Sequence, residues 1–468
     1  MKKTKNTSLR AGAAKVDISP AKGIQLAGDI GRRRPCTGIA DPIYARALVL
    51  EKNGKQCCVL SLDVLAIDTP WADELRRRAQ ARYRFPPEAV VIHTTQNHAA
   101  PSIGNHFCRD SCTRIPDRYA YLRGGDARYN EPAVAGILEA MGKALANLEP
   151  VAVSVGRAID GRIATNRRYV MRDGTSRCQP GAGNPNVLHV EGPTDPEVGV
   201  VTFTGAKGRT ISALLHHTAH PCNGFWGSKV LPDWPGAWCQ GMEAHFGKTC
   251  TPLVINGCCG NIITFDYLNP AQKNDGDYRR YGRLLTESTM RALKDMRPVK
   301  GTAFGWASRI LPIPKRVIPR QALAEARSML KEHPGPLWKD PKHNRVEWDW
   351  VYNVGIVDMA DEDRTQPDFP YEIQALRIGD FGLLAIMGEP FVEAQLNIKL
   401  KSPFPFLQVA HLCNGYCCYV PTRRALAGGG YETRIGWGSR LAPEALEMIE
   451  KASVQLLKKL AAHPSSSA

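Results

Sequence analysis

Thr94-Thr95-Gln96-Asn97-His98-Ala99-Ala100-Pro101 comes directly after the apolar run Ala89-Val90-Val91-Ile92 and its following His93. The apolar run reads as a buried strand. The small and polar residues and the proline that break it read as a loop at the strand exit. A histidine, an amide and two threonines there are well placed to line a cleft, because loops on a rigid scaffold carry function. On its own, His98 is as well read as a cap on the strand. Three more polar strand-end clusters downstream shift the balance.

The second cluster is His216-His217-Thr218-Ala219-His220-Pro221, after the strand Ile211 to Leu215. The third is Gly388-Glu389-Pro390, after Phe381 to Met387. The fourth is the turn holding Asn414-Gly415-Tyr416 and Tyr419, after Phe406 to Leu412. Each has a plain alternative: a core histidine at His220, a helix cap at Glu389, a core ring at Tyr419. Four in one positional role are harder to dismiss, because strand ends on one sheet edge converge on a crevice. Two histidines, a carboxylate and a tyrosine form a donor set for a borderline divalent metal, zinc being the usual choice.

The rest of the chain reads as mixed α/β with antiparallel pieces. Ala13 to Ser19 reads as an entry strand, and Ala45 to Glu51 and Cys57 to Asp63 as strands joined at Asn53-Gly54, a hairpin signal. Asp63 is expected near the cleft. Helices are expected over Trp71 to Tyr83, Glu131 to Leu148, Pro235 to Phe246, Asp277 to Met296 and Leu441 to Ala461. Strands are expected at Val151 to Ala158, Val198 to Phe203 and Pro252 to Ile255, the last ending in Asn256-Gly257-Cys258-Cys259-Gly260-Asn261. Gly174 to Pro193 reads as a surface excursion. Residues 311–348 read as a proline- and charge-rich elaboration with one helix at Leu323 to Lys331, and Ser465 to Ala468 as a disordered tail. The sequence shows no internal repeat.

The 468 residues carry a formal net charge of +16, with basic residues scattered in short groups and no nucleic-acid recognition motif beside them. That favours an acidic small-molecule substrate, or simply a soluble basic surface, over nucleic acid. No apolar run approaches the ~20 residues of a membrane span, so no stable membrane insertion is expected. Most of the 14 cysteines lie in apolar strand-like runs. With no recognisable secretory signal, they read as buried thiols in a reducing cytoplasm. Cys108 and Cys112, in a polar loop, read as structural.

Taken in order, Gly38-Ile39-Ala40-Asp41-Pro42-Ile43-Tyr44, the 94–101 loop, Ala219-His220-Pro221, Gly388-Glu389-Pro390-Phe391, Tyr419-Val420-Pro421-Thr422 and Gly430-Tyr431-Glu432 resemble the neutral/alkaline non-lysosomal ceramidase family. The resemblance is to its N-terminal catalytic domain and covers nearly the whole chain. It implies mixed β-sheets flanked by helices in one catalytic domain over 1–468, without the family's C-terminal immunoglobulin-like domain. It also implies zinc, with ligands at Gln96, His220, Glu389 and Tyr419. His98 then falls at a substrate- and oxyanion-binding histidine, Arg167 at a substrate-contacting arginine, and Tyr431 at a second active-site tyrosine.

Two positions depart from the family. Gln96 stands where a zinc histidine belongs, and an amide oxygen is a weaker zinc donor than imidazole. Ile263 stands where the nucleophilic serine belongs, in Cys259-Gly260-Asn261-Ile262-Ile263-Thr264, with Thr264 one residue late. The expectation is therefore a metal-assisted hydrolase acting on an amide or similar bond in a polar small molecule, and not a true ceramidase. A carbohydrate-directed glycosidase or lyase on the same cleft is the second reading. A non-catalytic binding protein is the third.

Overall fold

Three β-sheets share one strand plan in the computed structural model, which describes residues 8–109, 112–181, 183–269 and 276–462. In the first, Arg10–Asp17 pairs antiparallel with Tyr44–Lys52, Tyr44–Lys52 antiparallel with Lys55–Leu62, and Lys55–Leu62 parallel with Val90–Thr94. In the second, Ala152–Ile159, Glu197–Thr204, Thr210–His217 and Thr251–Asn256 are joined in the same antiparallel, antiparallel, parallel order. In the third, Phe304–Pro314, Asp368–Ile378, Phe381–Ile386 and Phe406–Ala410 repeat it.

A parallel join needs a crossover, and a helix supplies it each time: Thr69–Tyr83, Asp233–Phe246 and Val392–Lys401. A second helix, Ala127–Ala146, Tyr278–Lys294 or Ala445–Ala462, then packs on the first two strands of its own sheet. The sequence shows no repeat because the likeness is one of topology. The three equivalent strand exits read Thr95-Gln96-Asn97-His98, Gly257-Cys258-Cys259-Gly260 and His411-Leu412-Cys413-Asn414, with no residue common to all three at any one position.

Alternation within the strands builds the layers. In Tyr44–Lys52, Ala45, Ala47 and Val49 face the flanking helices, while Leu48 and Leu50 face the junction with the other two sheets. Both faces are buried, so the strand reads as a continuous apolar run. The hairpin after it turns at Asn53 (φ 53°) and Gly54 (φ 80°), the two left-handed positions of a tight hairpin turn.

The three parallel edge strands meet at the centre. The Asn256 amide donates to His93 Nε2 at 3.0 Å, the His411 amide to the Asn256 carbonyl at 3.1 Å, and the Asn414 amide to the Ile92 carbonyl at 2.9 Å. Their carboxyl ends therefore open at one place.

Several expectations need correction. Asp63 is 1% exposed and forms a buried ion pair with Arg46, so it is structural and does not face the cleft. Leu311 to Pro314 belongs to the long strand Phe304–Pro314, whose prolines are tolerated because it is the outer strand of its sheet. Beyond it lie two helices, Arg320–Glu332 and Trp348–Asp363. Within Gly174 to Pro193, Ser176–Cys178 and Val187–Val190 pair with Arg168–Met171 in a small sheet. The tail from Ser465 lies outside the described residues. All 14 cysteines are unpaired. Among the described residues no helix is long and apolar enough to cross a membrane.

Candidate active site

A cavity of about 510 Å³ opens where the three sheets meet. Gln96, His98, Glu389, Tyr419 and Tyr431 line it, with aromatic walls from Phe107, Phe225, Trp348 and Tyr352. His220 and Arg167 stand just behind these residues. The expected site residues thus come together from all three sheets.

His98 is fixed by the loop that carries it. Its amide donates to the Pro221 carbonyl at 3.1 Å, stitching the first strand exit to the second, and its Nδ1 lies 2.9 Å from the Gly28 carbonyl. Gly28 is required there, since a Cβ would fall 2.2 Å from the His98 carbonyl oxygen. His220 Nδ1 lies 2.6 Å from the Cys259 carbonyl and 3.1 Å from that of Ile262. A ring nitrogen facing only carbonyls carries the hydrogen, so in the neutral form Nε2 presents its lone pair. The same holds for His98. The two rings lie 5.5 Å apart, and both Nε2 atoms are buried with no hydrogen-bond partner.

Glu389 enters from the third sheet. Gly388 before it has φ 65°, and a Cβ there would lie 2.3 Å from Cys417 Sγ, so the turn needs glycine. Glu389 Oε1 accepts the Tyr416 hydroxyl. Its Oε2 faces His220 Nε2 at 3.3 Å and has no other partner. Burial works to raise the Glu389 carboxyl, but His220, Tyr416 and Arg167 outweigh it and hold the group below the ordinary carboxylate range. Burial, aided by the Arg167 charge, pushes His220 down from its ordinary value. The two groups thus face each other at 3.3 Å in a buried site, an arrangement that calls for a proton or a cation between them.

The other expected residues divide by role. Gln96 sits in the left-handed region (φ 68°), and its side-chain oxygen accepts the Cys259 thiol at 3.1 Å. Arg167 donates to the Gly260 carbonyl at 2.6 Å and to the Tyr419 hydroxyl at 3.3 Å, and is ion-paired with buried Glu432. Tyr431, 39% exposed, stands at the cavity lip. Ile263 is buried and carries no hydroxyl, while Thr264 donates to Asn223 at 3.3 Å and borders a different cavity.

Sequence reasoning missed His106, Trp348, Tyr352 and Cys222, and placed Tyr416 in the fourth strand-end turn without giving it a role. His106 packs edge-on to Tyr416 with centroids 5.4 Å apart, and burial lowers it to about 4, which keeps it neutral at pH 7. Cys222 could have been found from the His-x-Cys spacing of His220 and Cys222. Among the described residues, two side-chain groups have the spacing to hold a metal ion: His98, His220 and Cys222, and, apart from them, Cys108, Cys112 and Asp358. In the second group, Asp358 already accepts the Trp437 indole and lies 3.6 Å from Arg109.

No protein-family model and no curated protein match the sequence. Solved structures do. The crystal structure of neutral ceramidase from Pseudomonas aeruginosa aligns with a TM-score of 0.74 at 19% identity, covering 98% of this chain and 75% of that one. A ceramidase complexed with C2 aligns with a TM-score of 0.74 at 17% identity, covering 99% and 77%. The chain has the fold of neutral ceramidase.

Proposed function

We propose that this chain is a metal-assisted hydrolase that cleaves an amide or similar bond in a small polar substrate, and that it is not a true ceramidase. The observation that carries this reading is the His220–Glu389 pair, an imidazole Nε2 and a carboxylate oxygen 3.3 Å apart in a buried site. His98 Nε2, close by and also unpartnered, supplies a further donor, more than a single shared proton would use. Imidazole and carboxylate donors suit zinc. When bound, such an ion supplies Lewis acidity, which acidifies water and polarises a carbonyl.

The chain's own residues would do the rest. Tyr416 holds the Glu389 carboxylate in place through its hydroxyl. Arg167 sits behind the Tyr419 hydroxyl and over the Tyr431 ring, so negative charge developing at the cavity floor is favoured there. Phe107, Phe225 and Trp348 keep water from the floor and set the substrate's shape. With Ile263 in place of a serine and Thr264 turned elsewhere, water is the nucleophile. The chain's formal net charge of +16 favours an acidic substrate. The unpaired cysteines favour a reducing, cytoplasmic setting.

The aromatic walls favour a second reading, a glycosidase or lyase in which His220 and Glu389 share a proton and act as an acid–base pair. Metal analysis of the purified protein, followed by a screen of amides, esters and glycosides, separates the two. Bound zinc with amide or ester turnover supports the first reading. Glycoside cleavage without metal supports the second. Neither metal nor turnover leaves a binding protein.

A further inference from the structure

We propose that Cys222 is a ligand of the same metal, forming with His98 and His220 a three-residue donor set that takes over from the amide at Gln96. The proposal rests on the metal reading above and deepens it. One ring nitrogen of His98, one of His220 and Cys222 Sγ all lie within 4.8 Å of one another. Both histidines use Nδ1 on carbonyls, leaving buried His98 Nε2 with no partner and buried His220 Nε2 facing only Glu389 Oε2 at 3.3 Å. Gln96 has been drawn out of such a role, because its side-chain oxygen already accepts the Cys259 thiol at 3.1 Å.

The three donors are held in place by backbone. The Cys222 amide donates to the His220 carbonyl at 3.1 Å, fixing the His-x-Cys turn. The His98 amide donates to the Pro221 carbonyl at 3.1 Å, fixing the partner loop against it. With the Glu389 carboxylate, which faces His220, the three would give four protein donors of types that suit zinc, and a catalytic zinc can expand to five-coordinate to admit water or substrate. A thiolate in the set selects a soft or borderline ion over magnesium or calcium. Binding converts the Cys222 thiol to thiolate and releases its proton to solvent.

Co²⁺ is the probe. Wild type and Cys222→Ser are titrated with Co²⁺ at neutral pH, and the difference spectrum between them is recorded, so that thiols common to both cancel. The expected result is a near-ultraviolet thiolate-to-cobalt band in the difference spectrum, with affinity lower in Cys222→Ser by about tenfold or more. Gln96→Ala should keep the band. In wild type, zinc should protect Cys222 from iodoacetamide, read by peptide mass, a measurement that does not depend on the variant folding. Equal Co²⁺ affinity with no difference band, or a Cys222 that stays reactive in the zinc-loaded protein, overturns the proposal and leaves the metal reading standing. No binding of either ion to wild type overturns both.

Discussion

The Gln96 side-chain oxygen accepts the Cys259 thiol at 3.1 Å, and the same sulfur lies 3.7 Å from His411 Nε2. The pair ties the exit of the first sheet's edge strand to that of the second, and it occupies the Gln96 side-chain oxygen. Gln96→His should place a nitrogen donor near His220 and tighten zinc by about tenfold or more. It should also remove the thiol's acceptor, costing about 1 kcal/mol of stability. Competition with a zinc chelator checks the first effect, and urea unfolding of the metal-free protein the second.

Glu432 is fully buried and ion-paired with both Arg167 and Arg168. It follows Tyr431, so it anchors the cavity lip. Glu432→Gln leaves two buried guanidinium groups with less compensating charge. A loss of about 3 kcal/mol is expected, read from the urea midpoint.

His93 and His106 are both lowered by burial to about 4. The folded protein keeps them neutral, whereas the unfolded chain takes up protons below pH about 6.5. The unfolded state therefore binds more protons between those limits. Stability should be level above pH about 6.5 and fall as pH drops towards 4, by ~3 kcal/mol for either group alone if its shift is fully developed. Urea midpoints across that range check the direction, and His93→Gln should flatten part of the slope.

Trp348 and Tyr352 lie one turn apart on the Trp348–Asp363 helix and form one cavity wall. Trp348→Ala should weaken substrate binding by about 1 kcal/mol, the worth of an aromatic contact. KM should rise severalfold with kcat little changed. Steady-state kinetics on any substrate found in the screen check this.

Much of the site was legible because each donor follows an apolar strand. His98, His220, Glu389 and Tyr419 stand out as polar residues at the end of runs that alternate or stay apolar. What could not be read follows from the same physics. Pro312 and Pro314 hid an edge strand, because a proline signal does not say which edge it sits on. Trp348 and Tyr352 lay at the end of a stretch dominated by charge and proline. The threefold strand plan left no trace because burial asks only for apolar side chains, which many sequences supply. Cys222 was passed over as one thiol among 14 until His98, over a hundred positions earlier, was found beside it.

The central claim is that His220 and Glu389 face each other across a metal. Zinc content of the purified wild type, after dialysis against buffer free of strong chelators, tests it most directly beside His220→Ala and Glu389→Gln. About one zinc per chain is predicted for wild type, and much less for either variant. A wild type that holds no zinc and cannot be loaded with it, yet turns over a glycoside, would contradict the claim.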